Sequence, residues 1–173
     1  MRGVCSKTGL NDRYFYADFK TRDELLVAAW DGVRNEMLGE VSAILAERIG
    51  QPPMETIRVT IASVVDRIAE DPGRAKILLA QHVGSSPLQH RRAVALQEAT
   101  NLVVAAGRPQ LRPDADETAL RMDTLVAVGG FVELITAWHA GLLDVIQEEI
   151  VEHTSRLAET LAERYLGDDA ALR

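Results

Sequence analysis

Residues 21–53 read TRDELLVAAWDGVRNEMLGEVSAILAERIGQPP, and this stretch decides the fold class. Apolar side chains fall at Leu26, Trp30, Val33, Met37, Val41, Ile44 and Leu45, chiefly in steps of three and four. That spacing lines one face of an α-helix. Thr21, with Glu24 three residues on, has the form of a capping box, so a helix is predicted from Thr21 to Ile49. Gly50-Gln51-Pro52-Pro53 ends it. Downstream, Ile57, Ile61, Val64, Val65 and Ile68 repeat the pattern until Asp71-Pro72-Gly73 breaks it. A shorter helix fits Arg74 to His82, and another Leu88 to Ala106, followed by a Pro- and charge-rich link from Gly107 to Asp114. Two long helices close the chain, Ala115 to Ala140 with Gly141 as its stop, and Leu143 to Leu166 with Gly167 past its end. No strand pattern bounded by hairpin turns occurs, and the expected fold is all-α.

Composition agrees. The 173 residues are 47% hydrophobic and 26% charged, and the low aromatic content of 5% beside abundant Ala, Leu, Val and Glu favours helix. A single cysteine, Cys5, excludes an intrachain disulfide framework and a cysteine-rich zinc site. No run approaches the ~18 apolar residues of a membrane span, and the start lacks the apolar stretch of a signal peptide. A cytoplasmic protein without membrane contact is expected. The net charge of −7 is unevenly spread: residues 1–22 carry +3 and the rest −10. A basic end on an acidic body suits a protein that meets a polyanion with that end alone.

The basic end has a pattern of its own. In Val4-Cys5-Ser6-Lys7-Thr8-Gly9-Leu10-Asn11-Asp12-Arg13-Tyr14-Phe15, a short helix ends at Gly9, which tolerates the positive φ of a tight turn. Leu10 plugs the angle between two helices, and Asn11 caps the second. Such a helix-turn-helix places its second helix in the major groove. Gly9, Leu10, Phe15, Tyr16, Phe19, Lys20, Arg22, Leu25 and Leu26 further resemble the signature that closes the DNA-binding domain of TetR-family regulators. That signature runs glycine, apolar, Ser/Thr, three variable residues, then Leu-Tyr-x-x-Phe-Lys-x-Lys/Arg-x-x-Leu-Leu.

The resemblance implies a division into residues 1–26, a partial helix-turn-helix domain, and residues 27–173, a helical effector-binding and dimerisation domain. It implies that Tyr16 hydrogen-bonds a phosphate and that Lys20 and Arg22 approach the DNA backbone. Asn11, Asp12, Arg13 and Tyr14 then belong to the helix facing base edges, where Arg13 can pair bidentately with a guanine. The family's domain has three helices, and this chain begins inside the second. Loss of the first would strip Leu10, Phe15 and Phe19 of apolar partners, an effect of several kcal/mol at ~25 cal/mol per Å². Family members often read Val-Arg-x-Ile-Ala where this chain has Met1-Arg2-Gly3-Val4-Cys5. The expectation is therefore a GTG valine codon taken as a start, with a native truncation or a trimmed chain as alternatives.

In the family the last two helices form a two-fold dimer through a four-helix bundle. Here Leu125, Val128, Gly129 and Val132 on the penultimate helix, and Ile146, Ile150, His153, Leu157 and Leu161 on the last, are the candidate homodimer stripe. Gly129-Gly130 sits mid-helix, tolerable where another helix or a ligand approaches closely. Residues that are polar or aromatic among apolar neighbours are candidates for an effector pocket: Trp30, Met37, His82, Asn101, Met122, Phe131, Glu133, Thr136, Trp138 and His139. There is no Gly-x-Ser-x-Gly, P-loop or His-Glu-x-x-His, and Glu149 and His153 read as an i,i+4 polar pair. No catalytic residue, metal or cofactor is assigned. The expected function is a ligand-responsive transcriptional regulator, a repressor released from double-stranded operator DNA by a small-molecule effector. The alternative is an all-α small-molecule-binding or interaction dimer without working DNA contacts.

Overall fold

A computed structural model describes residues 19–80 and 85–167. Among them six α-helices and no strand are found: α1 Arg22–Glu47, α2 Pro53–Glu70, α3 Pro72–Leu79, α4 Ser86–Gly107, α5 Glu117–His139 and α6 Gln147–Tyr165. A 3-10 turn, Arg108–Gln110, follows α4. The all-α expectation is met.

Local chemistry sets most boundaries. Thr21 caps α1 by accepting the Glu24 backbone N–H at 3.1 Å, while the Glu24 carboxylate reaches back to the Lys20 N–H at 2.6 Å. Gly50, at φ 82°, turns the chain out of α1 toward α2, which opens on Pro53 at its first position. Asp71 caps α3 by accepting from Gly73 and Arg74, each at 3.0 Å. Asp116 caps α5 in the same way through Thr118 and Ala119. Gly141, at φ 72°, ends α5 as predicted.

Two boundaries differ from expectation. The third helix stops at Leu79, short of His82, which lies outside the described residues. The last helix begins at Gln147, four residues after the predicted Leu143. Leu142 to Ile146 form a connection instead: the Leu142 N–H donates to the Ala137 carbonyl, and Trp138 Nε1 donates to the Val145 carbonyl at 2.9 Å. Glu149 then accepts the Ile146 N–H at 2.9 Å, so the helix opens on a carboxylate rather than on Leu143.

The core lies where α2 meets α3, α5 and α6. Ile61, Val65, Ile150 and Val151 form one buried cluster, and Ile68, Ala75, Leu79 and Ile135 a second. Phe131 and Trp138 of α5 pack against both and join them. Each aliphatic side chain fully buried here contributes about 1.5–3 kcal/mol. The α5–α6 pair runs antiparallel and is laced at its far end, where Asp123 accepts from Arg164 at 3.0 Å and from the Tyr165 hydroxyl at 2.5 Å. An isolated bridge between Leu111 and Leu166 ties the end of α6 to the α4–α5 link, with Arg112 N–H donating to the Tyr165 carbonyl.

Candidate functional site

The predicted DNA-contacting residues Asn11, Asp12, Arg13, Tyr14 and Tyr16 lie outside the described residues. Lys20 and Arg22 are exposed beside the cap that opens α1, and neither side chain forms an ion pair among the described residues. Asp23 and Glu24 in the first turn of α1 offset the two cations, and the Glu24 carboxylate already takes the Lys20 N–H.

The predicted effector-pocket residues do not converge. Trp30 is 2% exposed and donates its indole N–H to the Leu78 carbonyl at 3.2 Å, so it is core rather than pocket wall. Phe131 and Trp138 are likewise consumed in joining the two core clusters. Met122 is 59% exposed on α5, and Glu133 is also exposed. The Thr136 hydroxyl donates to the Val132 carbonyl of its own helix, and His139 is half-buried at the end of α5. Met37 alone of this set borders a cavity between α1, α2 and α3, but its volume of about 20 Å³ holds one water. Helical spacing places a large Met or aromatic side chain equally well in a core or around a void.

An open depression of about 550 Å³ lies instead between α1 and α4. Of the predicted residues only Asn101 lines it; Arg34, Leu38, Ser42 and Glu98 were not singled out by sequence. The signal was present, since Arg34, Leu38 and Ser42 recur every four residues on α1. Arg34 Nη1 donates to Glu98 at 2.9 Å, and its buried Nε has no hydrogen-bond partner among the described residues. Arg121, from α5, donates to Asn101 Oδ1 at 2.6 Å.

The candidate dimer residues divide. Ile150 is 2% exposed and belongs to the core with Ile61, Val65 and Val151, so it is not available to a second chain. Val128, Gly129, Val132 and Leu161 are half-buried. Leu125, Ile146, His153 and Leu157 are exposed, Leu157 by 50%. The open apolar line on α5 runs through Met122, Val126 and Gly130, one turn apart, with Val126 at 74% exposure. Val126 was missed by sequence because it lies one residue off the stripe that begins at Leu125 and continues through Val128 and Val132. A side chain at Gly130 would meet no atom within 4 Å, so that glycine accommodates no neighbour within this chain.

Among the described residues, electrostatics single out one group. The hydrogen bond to Asp123, reinforced by burial and by that carboxylate's charge, holds the Tyr165 hydroxyl above the ordinary tyrosine range. Among the described residues no group of three or more His, Cys, Asp or Glu is placed to hold a metal ion. No helix there is long and apolar enough to cross a membrane.

Comparison with protein-family models, with curated proteins and with solved structures returned no match. The class that fold and surfaces define is, among the described residues, an all-helical body with an open depression on one side and an exposed apolar helix face on another.

Proposed function

We propose that this chain is a TetR-like, ligand-responsive transcriptional regulator acting as a homodimer. The observation that carries the reading is the run of nine signature positions between Gly9 and Leu26, with their spacing intact. Lys20 and Arg22, two of those nine, are exposed, and neither side chain forms an ion pair among the described residues. The line Met122–Val126–Gly130, with Leu157 of α6, supplies an apolar surface for a second copy. In this mechanism the dimer fixes the separation of two recognition helices on two half-sites. An effector that prefers another separation releases the DNA, and by linkage the DNA weakens the effector equally.

The test is a DNA titration of this chain with a randomised duplex pool at several salt concentrations. A selected sequence whose log affinity falls steeply with log salt is the expected result. Failure to select any sequence sinks the regulator. The second reading, an all-α small-molecule-binding or interaction dimer without working DNA contacts, then takes its place.

A further inference from the structure

We draw no further inference here: the strongest candidate, the apolar surface patch on the connection between α5 and α6, where Leu142 and Ile146 stand exposed, carries nothing because nothing in the structure shows what covers it.

Discussion

Helix α1 runs for 26 residues and buries one of them, Trp30; helix α2 runs for 18 and buries four, Thr56, Ile61, Val65 and Ile68. The longer helix is attached by charge instead. Asp31 pairs with Arg91 and Arg34 with Glu98 on α4, Glu36 with Arg74 on α3, and Glu40 with both Ser63 and Arg67 on α2. Such partly exposed pairs are each worth about 0–1 kcal/mol and weaken as salt rises. Burial on α2 is non-directional and indifferent to salt. The helix that leaves the basic end is thus held softly, and the one behind it firmly.

The comparison predicts a graded set of losses. Trp30→Ala should cost about 3–5 kcal/mol in urea unfolding, because it removes the one buried anchor of α1. A loss below about 1 kcal/mol, the scale of a surface change, would show that the ion pairs suffice and break the contrast. Ile68→Ala on α2 should cost about 2–5 kcal/mol and be unchanged between low and high salt. Tyr165→Phe should be mildly destabilising at neutral pH, through loss of the hydrogen bond to Asp123. The hydroxyl's contribution is complete below its unfolded value near pH 10 and is lost as pH rises through the higher folded value. The variant should therefore show a flatter alkaline decline in melting temperature than the parent. Glu40→Gln, the smallest, should cost no more than about 1 kcal/mol at low salt and nothing resolvable at 1 M. A salt-independent loss there would mean that Ser63, rather than Arg67, is its important partner.

Much of the fold was legible because its punctuation is local. Thr21, the Asp71-Pro72 pair and Gly141 mark helix ends through chemistry that needs no distant partner. The start of α6 was not legible, since Leu143 and Val145 continue an apolar rhythm while Trp138 and Glu149 hold the chain out of helix. The candidate site was harder. Lys20 and Arg22 stand out by charge beside a recognisable motif. Arg34 and Glu98 look, in sequence, like the solvated face of two long helices, and only the packing of α1 beside α4 makes them neighbours. Ile150 was misplaced because its periodicity is shared by the face that turns inward.

The stitch between Leu111 and Leu166 has a further consequence on the timescale of minutes and longer. With the Gly167 amide donating to the Gln110 carbonyl at 3.1 Å and the Arg112 amide to Tyr165 at 2.9 Å, the end of α6 cannot fray without freeing the link before α5. Amide hydrogens at both places should then exchange with deuterium together, as one cooperative opening unit, at rates closer to those of mid-helix α6 than of a chain end. The α5–α6 hairpin, closed at its loop by Trp138 and at its open end by this stitch, behaves as a single stave. The softly held α1 is the part free to shift against it.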